Sequence, residues 1–194
     1  MALSARDFFG LLLSLAVTST WSLTPDDIDR IRIGSNIELP VVDADTPTQT
    51  NMDVKSITQF TDIDGRRWYR FDGNFSDQKQ AVVFMHVENE LVEVESAINI
   101  IQFRDIGINK KSLWKIDKQR SGEVIYDKLH YKYNDDDSED AEFSKDAAKP
   151  QKMSYYRFEC VEDDDLSILI FEWNDDQFEL LNLEWVDTAK VIIQ

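Results

Sequence analysis

Two histidines, one cysteine and a large surplus of carboxylates are the groups in this chain that could do chemistry. His86, His130 and Cys160 are too few to supply the four nitrogen or sulfur ligands of a structural zinc site. A cysteine nucleophile would have to be Cys160, but it follows the stretch Tyr155, Tyr156, Arg157, Phe158, Glu159, where a small buried thiol is the usual occupant. The nucleophile elbow, the phosphate-binding loop, the glycine-rich dinucleotide turn and the H-E-x-x-H helix are all missing. Calcium takes oxygen ligands, and Asp135, Asp136, Asp137 and the run Glu162, Asp163, Asp164, Asp165 offer them. Neither run has the central glycine and final glutamate of an EF-hand loop, so both read as solvated turns. The residues therefore predict a chain that is not an enzyme, with no metal and no cofactor.

The charge balance narrows the partners. There are 21 Lys+Arg against 38 Asp+Glu among 194 residues, a formal net charge of -17. A nucleic-acid binder needs a cationic footprint to displace counterions from phosphates, and read along the chain the basic residues form no cluster, so no nucleic acid is expected. An aromatic share of 11% is too high for a disordered chain and is enough for one domain, or one domain and a tail. A single cysteine rules out an intrachain disulfide and fits a reducing cytoplasm.

These residues need elements to hold them. Within residues 1–22, Phe8, Phe9, Leu11, Leu12, Leu13, Leu15, Ala16 and Val17 make a short apolar run. A secretory signal would need a cationic start, but Arg6 is cancelled by Asp7, and Thr18, Ser19, Thr20 mimics a cleavage site poorly. A membrane span needs about 20 apolar residues, and Gly10 and Ser14 interrupt this shorter run. The third reading is a helix begun by Ser4 that docks on the domain, on a partner or on a membrane surface. Residues 23–53 read as a short helix capped by Thr24 with Pro25 in its first turn, then a loop over residues 40–51.

From Val54 the apolar pattern has period two, as half-buried strands require. Asp62, Ile63, Asp64, Gly65 is a hairpin turn, and strands follow at residues 68–71, 81–87 and 91–94. In residues 97–116, Ile98, Ile101 and Ile108 suit a helix while Gly107 and Asn109 interrupt it, so the segment reads as a short helix or irregular; residues 134–150, with their block of acids, read as a long solvated loop. Acids at residues 88–95 and 175–184 are expected to protect sheet edges.

Comparing the chain with itself reveals a repeat. Trp68, Tyr69, Arg70, Phe71 matches Tyr155, Tyr156, Arg157, Phe158 at an offset of 87 residues, and the same offset puts Phe84 on Phe171, Asp77 on Asp164 and Leu91 on Phe178. The expected fold is mainly β, a β-rich α+β chain of two duplicated antiparallel meanders with an N-terminal helix. The domain runs over residues 54–194, with halves at about 54–94 and 129–186, packed as a sandwich or a barrel-like unit. Alternation sends Tyr69 and Phe71 to one face and Trp68 and Arg70 to the other. One reading makes the Tyr and Phe residues core and pairs both arginines with surplus acids. The other makes Trp68, Arg70, Arg157 and Trp173 a binding surface.

The order of landmarks resembles an uncharacterised bacterial domain family encoded beside relatives of phage shock protein A, an ESCRT-type membrane-remodelling protein. The carrying residues are Trp68, Tyr69, Phe71; Leu91 to Glu95; Ile125, Tyr126, Asp127, Tyr131; Tyr155, Tyr156, Phe158; Ile168 to Phe171, Glu172, Trp173; and Phe178, Glu179, Val186. Glu90 departs from the tryptophan common there. The resemblance implies a fold and a genomic neighbourhood, and no catalytic residue. With the charge and the apolar N-terminus, it leads to the expectation of a non-enzymatic adaptor for a membrane-remodelling partner. Such a protein would be cytoplasmic or peripheral to the inner membrane, touching the membrane at most through residues 1–22. The alternative is an acidic inhibitor or immunity protein that neutralises a basic toxin or nucleic-acid enzyme, steered by charge.

Overall fold

The computed structural model describes residues 23–40, 49–88, 91–174 and 177–194; the apolar run expected to form an N-terminal helix lies outside them. The described chain runs α1 (Pro25–Ile28), β1 (Asn36–Pro40), β2 (Gln49–Asp62), β3 (Arg67–Phe75), β4 (Gln80–Glu88) and β5 (Leu91–Ile101). It continues as α2 (Lys110–Gln119), β6 (Glu123–Tyr126), β7 (Leu129–Lys145), β8 (Gln151–Cys160), β9 (Leu166–Asn174), β10 (Gln177–Val186) and β11 (Ile192–Ile193). The strands form one antiparallel sheet in the order β11-β1-β2-β3-β4-β5-β10-β9-β8-β7-β6, and a further β2–β7 pairing joins its two arms. Eight strands, β2 to β5 and β7 to β10, thereby close into a ring. Of the two expected packings, this is the barrel.

Closure depends on strand length. β2 has 14 residues and β7 has 17, so each can serve two partners along one edge. β2 pairs with β1 through residues 49–53 and with β7 through residues 58–62. β7 pairs with β6 through residues 129–132 and with β2 through residues 141–145.

Several local expectations are met. Thr24 caps α1, accepting from the Asp27 N–H while the Asp27 carboxylate takes the Thr24 N–H. The β2–β3 hairpin turns at Gly65, whose φ of +82° suits glycine, and the Asp62 carboxylate accepts from the Asp64 and Arg66 N–H groups. Others are corrected. The acid block at residues 134–150 is mostly strand β7, with a register shift between Asn134 and Glu139 that lifts the acids out of the ladder. Asn134 accepts from the Asp136 and Asp137 N–H groups, and Arg120 and Arg66 sit 3.2 and 4.0 Å from Asp135 and Asp137. Neighbouring cations let a like-charge run stay ordered. Within residues 97–116, β5 continues to Ile101, and Asn109, which seemed to interrupt a helix, caps one by accepting from the Ser112 N–H. The expected loop over residues 40–51 is strand at both ends, to Pro40 and from Gln49, and residues 41–48 lie outside the described residues. The acids of β5 and β10 guard no edge, since those two strands pair with each other.

Alternation sorts the side chains into three cores. Phe60, Trp68, Val82, Phe84, Ala141, Met153, Tyr155, Leu169, Phe171, Leu181 and Leu183 come from seven of the ring strands yet touch in one cluster, so they fill the barrel interior. On the outside of β2 to β5, Tyr69, Phe71, Val83, Met85 and Val94 are covered by Ile28 and Ile31 and by Ile37 and Leu39 of β1. On the outside of β7 to β10, Tyr156, Phe158, Ile168 and Ile170 are covered by Leu113 of α2 and Val124 of β6. Residues 23–40 thus share the core and the sheet of the barrel.

Candidate functional site

Trp68, Arg70, Arg157 and Trp173 all lie on the inner side of the ring, so the tryptophan face expected to be presented to a partner is turned inward. Trp68 is 5%, Arg70 6% and Arg157 7% exposed. The cause is closure: a face that would be open in a flat meander becomes the lumen when β2 meets β7. Trp68 stacks on Phe60 with centroids 3.9 Å apart and meets Tyr155 edge-on at 5.3 Å. Trp173, half-buried, stacks on Phe171 at 5.0 Å.

Both arginines are consumed by carboxylates, through residues that sequence comparison missed. Arg70 donates to both oxygens of Glu179 at 2.6 and 2.8 Å, and to Asp72. Arg157 donates to both oxygens of Glu95 at 2.8 and 2.6 Å. The arrangement is reciprocal. In the ladders Phe84 stands opposite Glu95 and Phe171 opposite Glu179, so the two glutamates occupy matching positions, as do the two arginines. Each arginine reaches the glutamate of the other meander. The second polar partner also matches: His86 Nε2 lies 3.0 Å from Glu95, and Trp173 Nε1 donates to Glu179 at 3.2 Å. Glu95 and Glu179 were hidden because they lie 84 residues apart rather than 87. Allowing a shorter link between β9 and β10 would have found them.

Burial is the largest influence on Glu95 and favours its neutral form, but the charge and hydrogen bonds of Arg157, with those of His86, outweigh it. The carboxyl stays well below the usual carboxylate range. Burial likewise opposes the Arg157 charge, and Glu95 more than restores it. These groups are therefore fixed in charge and saturated by each other, a stable interior rather than a poised acid, base or anion hole.

One cleft, of about 870 Å³, is lined by residues of β2, β7, β8, β9 and β10 and by the β2–β3 turn. Asp62, Asp140, Glu142 and Glu172 bring four carboxylates to it against one ammonium, Lys152. Asp62 is spoken for by Arg66 at 2.6 Å, and Glu172 accepts from Tyr156 at 2.6 Å and from Trp114 of α2 at 3.1 Å. Asp140 and Glu142 are exposed at the rim. Trp173, Met153 and Ile63, the last 73% exposed, give the same cleft an apolar floor and lip. Such a surface suits a ligand that is both cationic and apolar.

A second cavity, about 190 Å³, opens on the interior beside Trp68, His86, Tyr155 and Arg157. Nearby, Glu139 is held by Arg66 at 3.1 Å through one oxygen, while its other oxygen is buried without a hydrogen-bond partner. Burial pushes the Glu139 carboxyl up, and Asp62, Asp64 and Asp137 add to the effect against the opposing charge of Arg66. Among the described residues no group of three or more His, Cys, Asp or Glu side chains could hold a metal ion. No protein-family model, curated protein or solved structure matches the chain.

Proposed function

We propose that this chain is a non-enzymatic binding protein, an adaptor whose acidic cleft receives a basic segment bearing apolar side chains from a partner protein. The observation that carries this is the composition of the cleft, four carboxylates and one lysine around Trp173, Met153 and Ile63. The saturated pairing of the interior arginines supports the same reading, because it leaves recognition to the cleft. The family resemblance makes a membrane-remodelling protein the partner to try first. Descent of β2 to β5 and β7 to β10 from one duplicated unit belongs to this reading; its support is the offset of 87 and the reciprocal Arg–Glu pairs. No helix among the described residues is long and apolar enough to cross a membrane; membrane contact through residues 1–22 is a separate proposal.

Titrating the full chain with a basic peptide containing tryptophan or leucine tests the cleft. Saturable binding that is lost in Asp140→Lys/Glu142→Lys is the expected result. Binding that ignores both substitutions, or none at all, overturns the reading. A cleft that instead takes a whole basic toxin or nucleic-acid enzyme, and loses it at moderate salt, would move the conclusion to an inhibitor.

A further inference from the structure

Helix α2 presents a line of basic residues on one face. Lys111, Lys115 and Lys118 fall at i, i+4 and i+7 and are exposed, and Trp114 stands between them, 42% exposed. No described residue makes an ion pair with any of the three lysines. The opposite side of the helix is anchored by Leu113, fully buried, and by Asp117, which accepts from Tyr133 at 2.7 Å. The cationic stripe is thus held rigidly outward. It also adjoins the acidic cleft, because the indole N–H of Trp114 donates to Glu172, which lines that cleft.

A cationic ridge beside an acidic cleft is complementary to itself. Under a two-fold rotation the ridge of one copy meets the cleft of the other and the reverse contact forms at once, as an isologous interface requires. We propose that two copies of this chain associate in this way, each seating Lys111, Trp114, Lys115 and Lys118 against Asp140, Glu142 and Ile63 of the other. The exposed rings and branches of Trp114 and Ile63 supply the apolar part, and the rim charges supply register. An anionic bilayer or nucleic acid fits the ridge less well, since either would also be pressed against the neighbouring carboxylates. The proposal rests on the cleft reading above and extends it: the second copy occupies the cleft until a basic partner displaces it.

Sedimentation velocity on the full chain across a concentration series tests the association. A concentration-dependent dimer that weakens as salt rises is expected, because screening acts on the local charge pairs. Lys111→Glu/Lys115→Glu and Asp140→Lys/Glu142→Lys should each weaken self-association by at least about tenfold. Mixing the two variants should restore it, because both contacts of the mixed pair are again between opposite charges. Circular dichroism on each variant establishes that it is folded. A chain that stays monomeric, a dimer that strengthens with salt, a dimer untouched by either reversal, or a mixture that fails to associate each overturns the proposal. So does a monomer that instead sediments with anionic phospholipid vesicles through Lys115. Peptide binding to the cleft of a monomeric chain would leave the adaptor reading standing and remove only the dimer.

Discussion

The guanidinium of Arg157 on β8 holds both carboxylate oxygens of Glu95 on β5, at 2.8 and 2.6 Å, inside the barrel and across the boundary between its two meanders. Ser167 Oγ donates to Glu95 at 3.2 Å, and His86 lies on its far side, so the carboxylate has no solvent to fall back on.

Breaking that pair from one side should therefore be far worse than removing it. Arg157→Met leaves a buried carboxylate without its counter-ion and should cost about 3–5 kcal/mol. Adding Glu95→Leu should recover most of that loss, because neither charge then has to be desolvated. Urea denaturation of the two single variants and the double variant checks the cycle. A double variant whose loss equals the sum of the two single losses would show that the two side chains are not coupled.

Glu95 also predicts an acid limb. Its carboxyl is held below the ordinary value in the fold, so it contributes stability that is fully present above the unfolded carboxylate range and is lost as pH falls toward the lowered folded value. Thermal midpoints of the wild-type chain should fall through the acid range, and those of Glu95→Gln should fall less steeply. Parallel curves would contradict this assignment.

Glu139 has the opposite sign. Its folded carboxyl is pushed above the ordinary value, so ionising it weakens the fold, and this loss develops as pH rises from the unfolded value through the raised one. Glu139→Gln keeps the shape and removes the charge, and should raise the thermal midpoint at neutral pH while making little difference below the carboxylate range. A variant that is less stable at neutral pH would mean that the Arg66 contact outweighs the buried, unpartnered oxygen.

Gly73 is required by the close approach of β2 to β3. A Cβ there would sit 2.2 Å from the backbone oxygen of Asp53, next to the register shift between Val54 and Ser56. Gly73→Ala should destabilise by about 1–3 kcal/mol, since a backbone atom cannot swing away as a side chain can. Chemical denaturation measures it, and an unchanged midpoint would show that the shifted segment relaxes freely.

Much of the local structure is already decided along the chain. The Thr24 cap, the Asp62 to Gly65 turn and the period-two pattern of Trp68 to Phe71 depend on neighbours a few residues away, and the structure has them where those rules put them. The acid-rich strand β7 and the helix α2 were less legible. Asp135 and Asp137 are steadied by Arg120 and Arg66, one of them from the distant β2–β3 turn, and the cap on α2 looked like an interruption.

Composition and local pattern suffice for a β-rich chain in which carboxylates outnumber cations and Arg70 and Arg157 follow similar aromatic pairs. The direction in which the tryptophan face points, and the acids that the arginines take, depend on closure of the ring. A strand's alternation says that Trp68 and Arg70 share a side, but whether that side is surface or lumen depends on β2 meeting β7, a pairing between residues about eighty positions apart. The partners Glu95 and Glu179 follow from the same closure, because buried guanidinium groups must be neutralised by whatever carboxylates the ring brings within reach.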